Sequence, residues 1–96
     1  MNYGKFCYQF PDATPRAEED IYVCGDAGKQ IQRIGLEVVE ACNAWDDGQR
    51  DDAIHELMDV IHAAETALRM MHVKTALLSD VKARVITGNR ERGYYL

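Results

Sequence analysis

Residues 29–61 read KQIQRIGLEVVEACNAWDDGQRDDAIHELMDVI, and this stretch decides the fold. In its first half Ile31, Ile34, Val38, Ala41, Cys42 and Trp45 recur at three and four residues, an apolar stripe along one helix that begins near Asp26 and runs to about Trp45. Asp46-Asp47-Gly48 ends it. A second helix starts around Arg50, with Asp51 and Asp52 in its first turn where acids meet the positive end of the helix dipole. Its stripe is Ile54, Leu57, Met58, Ile61, Ala64 and Leu68, and it continues to Met71. A connection of roughly five residues between the two is the length that joins antiparallel neighbours.

Working outward, His72 to Lys74 form a short connection, Thr75 is placed to cap a third helix, and Leu78, Val81 and Val85 line it. Residues 87–96 combine glycines, basic groups and two tyrosines, the signature of a helix stop followed by a tail. Toward the start, Thr14, Pro15, Glu18 and Glu19 predict a helix opening with a capping hydroxyl and proline in the first turn. Residues 1–14 carry Tyr3, Phe6, Tyr8 and Phe10 without a sustained period and read as a loosely structured arm. The expectation is an all-α fold in an antiparallel helical bundle, with an arm over residues 1–14 and a helical domain over 15–96.

Composition narrows the function classes. Eleven Lys and Arg against sixteen Asp and Glu give a net charge of -5, which argues against a surface for nucleic acid polymers. No apolar run reaches the roughly 18 residues of a membrane helix, and residues 1–10 lack the pattern of a signal peptide, so a cytoplasmic protein without membrane partners is expected. Cys7, Cys24 and Cys42 are too few and too widely spaced for a disulfide framework or zinc site and are expected as buried free thiols.

The chemistry concentrates in four acids. Glu37 and Glu40 are three apart on the first long helix, and Glu56 and Asp59 are three apart on the next, so each pair shares one face beside its apolar stripe. Antiparallel packing brings the two clamps together. Four carboxylates at one place repel and raise one another's pKa unless cations neutralise them, and an all-oxygen set of this kind suits Mg²⁺ better than zinc. Taken singly, each pair is also what a solvated helix face looks like.

Glu37-Val38-Val39-Glu40 followed by Glu56-Leu57-Met58-Asp59 resembles the E-x-x-E…E-x-x-D signature of the MazG-like all-α nucleoside triphosphate pyrophosphohydrolases. The ending Asn89-Arg90-Glu91-Arg92-Gly93-Tyr94-Tyr95 is similar to the tail of small members of that family, so the resemblance spans about residues 29–95. It implies Mg²⁺-dependent cleavage of a nucleoside triphosphate to the monophosphate and pyrophosphate, with Mn²⁺ as a substitute ion. It implies Glu37, Glu40, Glu56 and Asp59 as metal ligands, with Glu37 or Glu40 orienting or deprotonating the attacking water. A further implication is a homodimer or homotetramer that completes the bundle. The chain departs from many relatives in having Leu36 before Glu37 and Ala41 after Glu40, where a further glutamate would add metal-binding capacity.

A triphosphate also needs cations. Lys82 and Asn89 are seven apart on one helical face, with Arg92 three further on, and these three are the candidate phosphate contacts. His62 follows Asp59 by three, but the first helix has no histidine to match it, which disfavours a di-iron centre. Trp45 continues a stripe and reads as core or subunit interface. The competing reading of the whole chain is a small acidic helical module that binds other proteins without catalysis.

Overall fold

The computed structural model describes residues 5–95, so Tyr3 of the arm and Leu96 of the tail lie outside the described residues. Four helices follow one another and no strand occurs among the described residues: α1 Thr14–Glu19, α2 Ala27–Asp46, α3 Arg50–Met70 and α4 Thr75–Glu91. They fall into two compact units, Gln9–His72 and a second made of the arm through Tyr8 with the chain from Val73 onward. Among the described residues no helix is long and apolar enough to cross a membrane.

In the first unit, α2 opens as its sequence predicts. Asp26 is the N-cap, and its carboxylate accepts from the Lys29 N–H at 3.0 Å. The helix stops at Asp46, and Gly48 turns the chain with φ of 76°, a left-handed conformation that glycine adopts without strain. The α3 helix then returns antiparallel: Gln30, near the start of α2, donates from Nε2 to the Ala63 carbonyl in the second half of α3 at 3.1 Å.

The seam between α2 and α3 differs from the expected one. Gln30, Ile34, Glu37, Ala41 and Ala44 of α2 face Ala53, Glu56, Val60, Ala63 and Ala67 of α3, all buried or half-buried. Small residues and acids therefore line most of the contact, and of the apolar stripes only Ile34 and Ala41 of α2 belong to it. Alanine at the crossing lets two backbones approach closely, which bulky side chains prevent. The stripes emerge one step further round each helix, at Ile31, Val38, Cys42 and Trp45 and at Ile54, Leu57, Ile61 and Leu68. Seen from one end, antiparallel right-handed helices turn in opposite senses, so residues that follow seam positions point to the same side in both. The two stripes thus form one continuous face, with Val38 43% and Trp45 65% exposed.

The opposite side of the pair carries Arg33, Glu40, Asp59, His62 and Thr66, and there α1 lies against α3. Thr14 is not the cap of α1. It is the first helical residue, Ala13 holds the N-cap without a side-chain bond, and the Asp12 carboxylate accepts from the Thr14 N–H at 2.8 Å. The arm is irregular yet fixed. The buried Glu65 carboxylate accepts the Gln9 N–H at 2.8 Å and the Phe10 N–H at 2.9 Å, and the Arg69 guanidinium donates to the Phe10 carbonyl at 3.0 Å.

In the second unit, α4 starts from Lys74 with no side-chain cap, so Thr75 is its first residue and not its cap. The Ser79 hydroxyl accepts from the Phe6 N–H at 2.9 Å, tying the arm to this helix. The helix passes through Gly88 to Glu91, past the expected stop, because Arg92 wraps back and donates from Nε to the Gly88 carbonyl at 3.2 Å. Gly93, with φ of 80°, ends it.

The three cysteines are exposed and free, contrary to the expectation of buried thiols. Cys42 lies on the outward stripe, Cys7 on the arm, and Cys24 in the turn after α1, where its thiol donates to the Ile21 carbonyl at 3.2 Å.

Candidate functional site

The α2–α3 seam delivers three of the four expected acids to one point. Glu37, Glu56 and Asp59 each offer a carboxylate oxygen within 4.8 Å of the others, and all three are half-buried. Helix geometry explains the meeting. Glu37 and Ala41 are seam positions of α2, Glu56 and Val60 seam positions of α3, and Asp59 stands one residue before Val60 on the polar side of the pair. Glu40 stands on that same side, exposed, outside the triad but close enough to act on Glu56.

The electrostatics are those of an incompletely compensated cluster. Burial pushes the Glu37 carboxyl above its ordinary value, the charges of Glu40 and Asp59 push it further, and the Arg33 guanidinium partly opposes them. Burial also raises Glu56, followed by the charge of Glu40, a shared carboxyl contact with Glu40, and the charges of Asp59 and Glu37. One oxygen of Glu56, Oε2, is buried and has no hydrogen-bond partner. An oxygen so placed among like charges is open to a proton or a cation. Asp59 has one further neighbour, the His55 imidazole, with Nε2 3.5 Å from Oδ2.

Space opens on both sides of the acids. Beneath α1, a cavity of about 290 Å³ reaches Glu37 and Asp59 at one end and Gln30 and Thr66 at the other. On the outer side of α2, a groove of about 440 Å³ runs along Lys29, Arg33, Glu37 and Glu40 to Tyr22. Arg33 touches both, and its guanidinium is held by Asp20 at 2.9 Å.

Lys82, Asn89 and Arg92 belong to the other unit and have local partners there. Lys82 donates from Nζ to the Lys5 carbonyl at 2.8 Å, the Asn89 carbonyl accepts from the Tyr94 N–H at 3.0 Å, and the Arg92 guanidinium lies 5.5 Å from the centre of the Tyr94 ring. Asn89 and Arg92 remain on one face of α4 and its continuation, because the helix persists through Gly88.

Three further residues take part, of which the sequence left the roles of His62 and Gln30 open and did not single out Glu65. Glu65 carries no mark in the sequence, and its place opposite the arm makes it a main-chain acceptor. His62 stacks on Phe10, with ring centres 4.8 Å apart and planes 14° from parallel, a contact between residues far apart in sequence. Gln30 is 5% exposed and lines the cavity, where its position at the start of the first stripe gave only a faint signal.

Comparison of the chain with protein-family models, with curated proteins and with solved structures finds no match.

Proposed function

We propose that the chain is a Mg²⁺-dependent nucleoside triphosphate pyrophosphohydrolase whose active centre is the carboxylate cluster. The observation that carries this reading is the convergence of Glu37, Glu56 and Asp59 within 4.8 Å, with the Glu56 oxygen left unsatisfied. A site that gathers like charges at a cost to stability is better explained by a cationic ligand than by structure alone.

The residues fit a hard divalent ion. They offer oxygen donors only, from two helices whose backbones are fixed against each other, and Mg²⁺ is characteristically held by a few carboxylates together with substrate phosphates. Glu37, Glu56 and Asp59 would hold the ion, with Glu40 in reach of the same place. Bound there, the ion supplies charge neutralisation and activation of water for attack on phosphorus.

The protein's own groups have separable tasks. In this reading a water oxygen attacks the α-phosphorus, the bond from that phosphorus to the bridging oxygen of the β-phosphate breaks, and pyrophosphate leaves. The proton lost by the water passes to a carboxylate. Glu37 or Glu40 takes that role, both standing beside the place where the ion would be held. Arg33 and Lys29, beside the acids in the outer groove, supply positive charge to phosphate oxygens. Lys82, Asn89 and Arg92 remain proposed phosphate contacts from α4.

The bare apolar face supports assembly. It runs along α2 and α3 through Ile31, Val38, Trp45, Ile54, Leu57 and Ile61, and a second copy laid against it makes a four-helix bundle with an isologous interface. A homodimer is the minimal assembly and a homotetramer the next. The same face favours the second reading, a helical interaction module, because exposed apolar patches of this extent mark protein contacts.

A pyrophosphate-release assay with canonical and modified nucleoside triphosphates, in Mg²⁺, Mn²⁺ or EDTA, separates the two. Release that needs metal and is lost in Asp59→Asn supports the hydrolase. No release from folded, assembled protein across the panel overturns it in favour of the interaction module.

A further inference from the structure

We infer that the cavity under α1 takes the base and sugar of the substrate, leaving the phosphates outside it at the acids, and that Gln30 is the residue that meets the base. This rests on the hydrolase reading and adds to it where the nucleoside lies and what recognises it.

Three observations lead there. The first is charge. The ionisable residues that line the cavity are Arg16, Arg33 and His62 against Asp20, Glu37 and Asp59, and Arg33 is engaged by Asp20 at 2.9 Å. A polyanion gains nothing from entering such a site, whereas a neutral heterocycle does not add to its charge. Ala17, Val23 and Ala63 supply apolar wall. The outer groove, with Lys29 and Arg33, is the better side for phosphate.

The second is length. Gln30 and Glu37 both line the cavity and are seven residues apart on α2, which at about 1.5 Å per residue separates them by about 10 Å along the axis. A sugar fits between a phosphate held at the acids and a base at Gln30. The volume, about 290 Å³, sits at the lower bound of small-molecule sites, as expected for one nucleoside and not for a dinucleotide.

The third is the state of Gln30. Its side chain is 5% exposed, and its Nε2 donates to the Ala63 carbonyl at 3.1 Å. That bond uses one of the two amide N–H groups and leaves the other N–H and the carbonyl oxygen for a ligand. A buried amide on a cavity wall pairs best with a ligand that presents a donor and an acceptor side by side, as a base edge does and a phosphate does not.

The test is an NMR titration of the metal-free, full chain with the four ribonucleosides and, separately, with inorganic tripolyphosphate, neither requiring turnover. A nucleoside is expected to shift the Gln30 side-chain amide and the Ala63 and Thr66 resonances, and tripolyphosphate alone to leave them in place. Gln30→Leu should weaken nucleoside binding by about tenfold, with the ranking of bases flattened. Gln30→Met serves the same comparison should the leucine variant fail to fold. Asp59→Asn should retain nucleoside binding while losing pyrophosphate release. Unmoved cavity resonances in a protein that does release pyrophosphate would overturn the inference and leave the hydrolase reading intact. Shifts from tripolyphosphate in place of nucleoside would also overturn it. Nucleoside binding at these residues without release from any triphosphate would support the site and refute the hydrolase.

Discussion

The two sides of the α2–α3 pair are built from the same helices and have opposite fates. One side carries Arg33, Glu40, Asp59, His62 and Thr66, and is roofed by α1 and by an arm clasped to Glu65. The other carries Ile31, Val38, Trp45, Ile54, Leu57 and Ile61 and has no cover within the unit. A soluble chain ordinarily covers its apolar side with its own elements and leaves the polar side to water. This unit does the reverse, which is the arrangement expected when polar residues bind a ligand in a sheltered place and apolar ones await a second chain.

The contrast can be broken from either side. On the roofed side, Asp59→Asn removes one carboxylate of the triad, and pyrophosphate release should fall by about two orders of magnitude or more, as measured by initial rates at saturating Mg²⁺. On the bare side, Leu57→Glu combined with Trp45→Glu places charge in the middle of the apolar face. Light scattering after gel filtration should then show the monomer mass where the unaltered chain gives a dimer, since central aromatic and aliphatic anchors contribute about 2 kcal/mol each or more. A dimer that survives both charges would place the interface elsewhere.

Glu65→Ala tests the roof. It leaves the Gln9 and Phe10 N–H groups without their acceptor, and a loss of about 1–3 kcal/mol is expected in urea unfolding. Arm resonances should lose their protection from hydrogen exchange.

A smaller effect comes from pH. Glu37 and Glu56 have raised values in the folded chain, so their protonated forms favour folding. That contribution is present below the ordinary glutamate range and is lost as pH rises through the raised values. The metal-free protein should therefore melt a few degrees higher at pH 5 than at pH 7. Saturating Mg²⁺ should narrow the difference by stabilising the ionised cluster, and Glu56→Gln should remove part of it. A melting temperature that climbs from pH 5 to 7 without metal would contradict the cluster's electrostatics.

Much of this architecture was legible in residues 29–61. The periods of α2 and α3, the turn at Gly48 and the pairing of E-x-x-E with E-x-x-D all follow from local pattern. Periodicity reports which residues share a face and is silent about what covers that face. Hence the stripes are visible as stripes, while the internal contact takes only Ile34 and Ala41 from them and is otherwise made by residues such as Ala53, Ala63 and Ala67. Alanine has a weak apolar signal and a strong steric role. The arm's attachment was invisible for another reason: main-chain N–H groups bonded to a distant carboxylate leave no mark on composition. Thr14 and Thr75 illustrate a third limit, since a hydroxyl one residue inside a helix cannot serve as its cap.

The short link at Asp47, Gly48 and Gln49 has a kinetic consequence. It makes the contacts between α2 and α3 local in sequence, and helical hairpins rich in local contacts form early and fast, on the microsecond to millisecond scale. The acids and the apolar face are then both in place on a lone chain, before any encounter with a second one. Refolding should accordingly begin with a rapid phase indifferent to protein concentration, followed by a slower phase whose rate rises with it.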